Sequence, residues 1–167
     1  TDAELKTNWA GVAKNNLMYG GYHIFVPDDD GAAQAKNYLD SLRSVTPSYA
    51  GRLRPVLDVE SIPEDKLQEA FPHMKIWLQR VEEALGCKPM IYTSPNNWNR
   101  EFPDDFTNYP LWLADYNDPP TLPKGWSKWT FWQHTNSGHI SGIAVPVDLD
   151  IYDGDKMRIV RDTCPIQ

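Results

Sequence analysis

Up to Gly86 the chain alternates short apolar runs with amphipathic helical stretches, and beyond Lys88 the helical signal nearly vanishes. Strand–helix alternation of this kind implies a parallel sheet with helices packed on it. Thr1-Asp2-Ala3-Glu4 has a capping-box pattern, and Leu5, Trp9, Val12 and Ala13 follow at helical spacing until Asn15-Asn16 and Gly20-Gly21. Tyr22-His23-Ile24-Phe25-Val26 reads as a short buried strand. Asp28-Asp29-Asp30 then caps a second helix that keeps Ala35, Tyr38, Leu42 and Val45 on one face. Pro55-Val56-Leu57-Asp58-Val59-Glu60 is a strand ending in two acids. A third helical stretch, from about Pro63 to Leu85, carries Leu67, Phe71, Met74, Leu78, Val81 and Leu85 on one stripe. Pro72 is expected to break or kink it, and Gly86 to stop it.

The second half reads differently. Lys88 to Thr93 is a strand, followed by an irregular Asn-, Pro- and Asp-rich stretch to Tyr109. Leu111 to Tyr116, Trp129 to His134 and Val147 to Tyr152 are further strands with little helix between them. The fold class is therefore α/β, an incomplete TIM-like β/α barrel of about six strands whose late strands lack helices. No linker, repeat or low-complexity block interrupts residues 1–167, so they read as a single domain, long enough to bury roughly 70% of its unfolded surface.

Charge narrows the partners. Sixteen Lys and Arg against twenty-three Asp and Glu leave a net charge of −7, a poor match for nucleic acid phosphates or anionic lipid. No apolar run approaches the roughly 20 residues needed to span a bilayer, and the N-terminus lacks the basic–apolar–small succession of a signal peptide. Cys87 and Cys164 lack metal spacing; pairing and two free thiols are equally open, so they do not reveal a compartment. The tryptophans say more. Four of the seven lie between Trp112 and Trp132, more than one small core wants for packing, and flat indole faces suit a sugar-binding groove.

Asp58 and Glu60 are the most informative pair. Residues i and i+2 of a strand point to one face, about 6.6 Å apart, and the C-terminal ends of barrel strands are where active sites are built. Two close acids do not ionise together easily, so one keeps a proton near neutral pH and becomes a usable acid. A solvated strand end with two ordinary carboxylates is the plain alternative. Asp115, Asp148 and Asp150 also follow apolar runs. One such acid is commonplace, often a cap for the next turn. Several together, in a chain rich in Trp and Tyr, suggest a carboxylate-lined, aromatic-walled cleft suited to glycoside hydrolysis.

Other chemistries find little support. His134 and His139 lack the partners of a zinc set. Asp28-Asp29-Asp30-Gly31 lacks the spacing of a calcium loop. There is no nucleophile elbow, P-loop or dinucleotide fingerprint. No metal or cofactor is expected.

Seven segments, in order, make the sequence resemble glycoside hydrolase family 25, the Chalaropsis-type and phage-type lysozymes. They are Asn8-Trp9-Ala10-Gly11, Gly21-Tyr22-His23-Ile24-Phe25, Pro55 to Glu60, Ile91-Tyr92-Thr93-Ser94, Leu111 to Tyr116, Phe131-Trp132-Gln133 and Val147 to Asp150. The resemblance implies N-acetylmuramidase action on bacterial peptidoglycan glycan strands. It makes Glu60 the general acid, with Asp58 holding the 2-acetamido group of the substrate as that group attacks the anomeric carbon, a departure from the two-carboxylate scheme. It adds Asp148 as an active-site acid, and Tyr22, Tyr92, Trp112, Asp115, Tyr116, Trp132 and Gln133 as the lining of the sugar subsites.

Family members open with a strand, a helix and a second strand ahead of the segment equivalent to Thr1, and that first strand brings a further aspartate. The expectation is thus a shortened barrel in which Gly21–Val26 and Val147–Tyr152 flank a gap. A homodimer covering it is the favoured of three solutions, ahead of a separate partner and of collapse. Two functions follow: a working muramidase acting outside the cell or delivered by phage to the wall, or a glycan-binding module with little turnover. Retention of both Asp58 and Glu60 favours the enzyme.

Overall fold

The computed structural model describes residues 1–98, 104–155 and 158–165. The irregular stretch expected before Tyr109 lies outside the described residues over 99–103. Six strands form one sheet in chain order: β1 Tyr22–Ile24, β2 Val56–Asp58, β3 Met90–Thr93, β4 Leu111–Ala114, β5 Phe131–Gly138 and β6 Val147–Tyr152. The α-helices among the described residues are α1 Leu5–Lys14, α2 Gly31–Arg43, α3 Leu67–Leu85 and the short α4 Pro95–Trp98. Strands β1 to β5 run parallel, and β6 returns antiparallel to β5. The barrel-like sheet is open, with β1 and β6 at its edges. The expected α/β incomplete barrel is what forms.

Strand alternation divides this sheet into two chemically different faces. Leu57 and Ile91 turn outward and join Val59 in a core built with Ala35, Tyr38, Leu39 and Leu42 of α2 and Met74, Trp77, Leu78 and Val81 of α3. The two helices pack closely because Gly31 opens α2. A Cβ there would lie 2.1 Å from the His73 carbonyl oxygen of α3. Instead the Gly31 amide donates to His73 Nδ1 at 3.0 Å, and Asp30 caps α2 by accepting from Ala33 N. A second, smaller cluster of Leu111, Leu113 and Trp132 is covered by Leu122, Trp126 and Trp129.

Three local expectations need correction. The Thr1–Glu4 capping box does not form: Glu4 is the N-cap without a side-chain bond, while Thr1 Oγ1 reaches Ser41 Oγ on α2. The first strand is not buried throughout, since Tyr22 and Ile24 are 63% and 60% exposed. It is an edge strand whose outward His23 alone packs on Tyr38 and Trp77. Pro72 neither breaks nor ends α3, which runs on through it to a left-handed Gly86 cap. Pro72 is the sixth residue of the helix and exposed, as is Gln68, whose carbonyl it leaves without its helical partner.

The pairing of the cysteines is settled in favour of a disulfide, Cys87–Cys164, across 77 residues of sequence. Beside it Leu53 bridges to Thr163, Arg54 pairs with Asp162 at 3.4 Å, and Tyr152 Oη donates to Asp162. Together these tie the chain's last described turn to the start of β2 and β3 and to the end of β6. Because the cross-link removes so long a loop from the unfolded ensemble, replacing both cysteines with serine should lower the unfolding free energy by about 2–5 kcal/mol. Urea titration of the two proteins measures that difference.

Candidate active site

The inner face of the sheet carries a diagonal row of side chains set by register. Asp58 pairs with Tyr92, Tyr92 with Trp112, Trp112 with Phe131, and Phe131 with Tyr152. Lower in the sheet the same face is plugged by buried Val56 and Met90. Toward the C-terminal ends of the strands it turns polar, where the chain leaves the ladder and backbone alone no longer dictates which side chain fits.

Asp58 is the unusual member. It is 7% exposed, and its Oδ1 is buried with no hydrogen-bond partner among the described residues. Burial, then the nearby Glu60 charge, pushes its carboxyl up to about 7. A buried acceptor without a donor is costly and uncommon. Here it points onto the face where a ligand would lie. Glu60, two residues on, is exposed past the end of β2.

The neighbouring groups converge on this pair. Tyr92 Oη donates to Gln133 Oε1 at 2.9 Å, and Tyr116 Oη donates to the same oxygen at 3.2 Å. Gln133 is buried and so serves as a fixed anchor for both phenols. Burial and the charges of Glu60, Asp58 and Asp148 hold the Tyr92 phenol well above its ordinary range. Burial, Asp148 and Glu60 also raise Tyr116. The two tyrosines therefore remain neutral donors at any physiological pH. Trp112 stands edge-on to Tyr92 with ring centroids 5.3 Å apart.

The structure thus gathers Asp58, Glu60, Tyr92, Trp112, Tyr116, Gln133 and Asp148 at one end of one face. Three of the expected residues lie elsewhere. Trp132 follows Phe131 and so faces the opposite way; it is 9% exposed, packs in the outer cluster and donates from Nε1 to the Asp115 carbonyl. Both Asp115 oxygens are spent on its own loop, accepting from Asn117 and from Thr121 N. Tyr22 shares the inner face but pairs with Val56, below the level of Asp58. Asp150, expected only as one of several strand-end acids, has a specific partner: its Oδ1 accepts from Trp112 Nε1 at 2.6 Å. Its place beside other strand-end acids was visible, but its contact to Trp112 needs the β5–β6 register. Among the described residues no cluster of His, Cys, Asp or Glu is arranged to hold a metal.

The family model described as glycosyl hydrolases family 25 matches residues 1–143. Protein YegX of Escherichia coli (strain K12) is 31% identical over 153 residues, which is 92% of this chain and 54% of YegX. Lysozyme M1 of Streptomyces globisporus is 26% identical over 170 residues, covering 95% of this chain and 58% of that protein. The chain thus spans little more than half the length of these relatives. The crystal structure of the bacterial lysozyme from Streptomyces coelicolor superposes with a TM-score of 0.82 at 23% identity, over 98% of this chain and 80% of that one, which shows a shared fold.

The Asp58 carboxyl has a consequence for stability. Its folded value, about 7, lies above the unfolded one of 3.8, so the folded protein binds the extra proton. That contribution is fully present below about pH 4 and is lost as pH rises through about 7. Asp58→Asn removes the titration. The variant should therefore gain on the wild type between pH 4 and pH 7, by on the order of 2–4 kcal/mol, with no further gain above. Denaturant titrations of both proteins at a series of pH values check this.

Proposed function

The chain belongs to glycosyl hydrolase family 25, and from that premise we propose that residues 1–167 form one catalytic domain that hydrolyses bacterial peptidoglycan. The bond cut is the β-1,4 link between N-acetylmuramic acid and N-acetylglucosamine. Its relative Lysozyme M1 is a lysozyme by name, and that reaction class is the one carried to this chain. The observation that supports it most directly is the unpartnered, buried Asp58 Oδ1 beside an exposed Glu60.

In the proposed mechanism the 2-acetamido N–H of the substrate donates to Asp58 Oδ1. Its carbonyl oxygen then attacks the anomeric carbon. As that bond forms, the bond from the anomeric carbon to the leaving oxygen breaks, and Glu60 gives its proton to that oxygen. Positive charge grows on the acetamido group as it closes the ring, next to Asp58, whose ionised form stabilises that charge in a site where water screens it little. Water then attacks the anomeric carbon, Glu60 takes its proton, and the acetamido group is released with the original configuration restored. Tyr92 and Tyr116, anchored on Gln133, offer hydroxyls to the sugar, Trp112 offers a flat face, and Asp148 adds a second acid at the rim. No metal takes part.

A wall substrate puts this work outside the cytoplasm, by secretion or phage delivery, where the Cys87–Cys164 disulfide persists. No helix among the described residues is long and apolar enough to cross a membrane. Exposed Tyr22 and Ile24 of β1, with exposed Val26 just past its end, support self-association there, checked by light scattering at tens of micromolar (a range where weak interfaces begin to fill).

The decisive measurement is clearing of a bacterial wall suspension. Glu60→Gln should slow it by about 10²–10⁴-fold, the usual worth of a general acid, and Asp58→Asn should be comparably severe. A glycan-binding module would instead bind walls without clearing them, and Glu60→Gln would change nothing.

A further inference from the structure

Asp150 has no part in the bond-breaking steps, yet it makes a close polar contact on the cleft floor. Its Oδ1 lies 2.6 Å from Trp112 Nε1. The contact joins β6 to β4 across the intervening β5, since Asp150 pairs with Gln133 and Trp112 with Phe131. An indole has a single N–H, so this bond selects one orientation of the ring about its own axis. Around it, Tyr92 stands edge-on at 5.3 Å and Phe131 is tilted at 6.0 Å. Those aromatic contacts limit how the ring tilts, but they are non-directional compared with a hydrogen bond to a carboxylate.

We propose that Asp150 is a positioning residue that clamps the Trp112 indole as a preset platform for a sugar ring of the glycan strand. The inference rests on the muramidase reading of the cleft and deepens it. An edge-strand residue thereby sets affinity at a distance from the Asp58/Glu60 pair. A free indole would have to be ordered by each incoming sugar, at the cost of its rotamer entropy. A clamped indole has already lost that freedom on folding. The effect belongs to binding of the ground state and the transition state alike, so it falls on KM and leaves kcat nearly untouched. The acceptor matters more than the charge. Asparagine keeps an oxygen where the carboxylate oxygen lies, whereas alanine does not.

The test is calorimetric titration with a soluble β-1,4-linked N-acetylglucosamine tetramer in a Glu60→Gln background, where turnover is blocked. Adding Asp150→Ala should weaken binding about tenfold, the loss of one charge-assisted hydrogen bond at a binding surface. Asp150→Asn should recover most of that loss. In a Trp112→Phe background, which has no indole N–H to hold, Asp150→Ala should have no further effect. With the active protein and wall fragments, Asp150→Ala should raise KM with kcat within about twofold. Equal affinity with and without Asp150→Ala, a fall confined to kcat, or additive effects of the Trp112 and Asp150 changes would each overturn the clamp while leaving the muramidase reading intact. Failure of the Glu60→Gln parent to bind either the tetramer or wall fragments would overturn both. A lowered melting temperature with unchanged affinity would make the contact a strand staple and overturn the clamp alone.

Discussion

The burial of Leu57, Val59 and Ile91 beneath α2 and α3 is the constraint on which the rest of the molecule depends. Leu57 and Ile91 are fully enclosed, and so are Met74, Trp77 and Leu78 on the helix above them. A slip of one residue in β2 would turn Leu57 to the open face and Asp58 into this core, exchanging apolar burial for a buried carboxylate among hydrocarbon. Register is therefore held from the outside. The acids on the inside are placed by a core they never touch.

The same constraint explains why Asp58 is left wanting. It sits where the parallel ladder is still intact, with Phe25 N bonded to its carbonyl and Val59 N bonded to Tyr92. Its side chain is thus largely enclosed, with Oδ1 cut off from solvent. Glu60, just past the ladder, escapes that burial. One strand end thereby makes two carboxylates of different character from the same chemistry, and the difference is one of depth. Folding bears the cost of the buried acceptor, and a ligand N–H would recover it.

The late strands solve a separate problem. With no helix between β4 and β5 among the described residues, the outer side is filled by Leu111, Leu113 and Trp132 under Leu122, Trp126 and Trp129. This is why the tryptophans between Trp112 and Trp132 serve two ends. Three of them supply the bulk that a helix would have supplied, and only Trp112 turns to the cleft. Their abundance was a sound sign of something beyond a single core, but it did not distinguish a sugar platform from a substitute for missing helices. The antiparallel return of β6 then brings Asp148 and Asp150 over the same face, and the Tyr152–Asp162–Arg54 contacts and the disulfide hold that return in place.

Much of this was legible in the residues themselves. Period-two and helical patterns located all six strands and the three long helices, because burial on one face demands those spacings. The alternation in Pro55–Glu60 placed Asp58 and Glu60 on one side for the same reason. Local signals were weaker at the chain's first residues and at Pro72, where tertiary contact and solvent access decided the outcome. Which of the two acids would be buried, which way Trp132 would face, whether Cys87 would meet Cys164, and that Asp150 would hold Trp112 are all matters of register or of contacts between residues far apart in sequence. A sequence states which side of its own strand a residue occupies. Only the assembled sheet decides which neighbour stands beside it and how far water can follow.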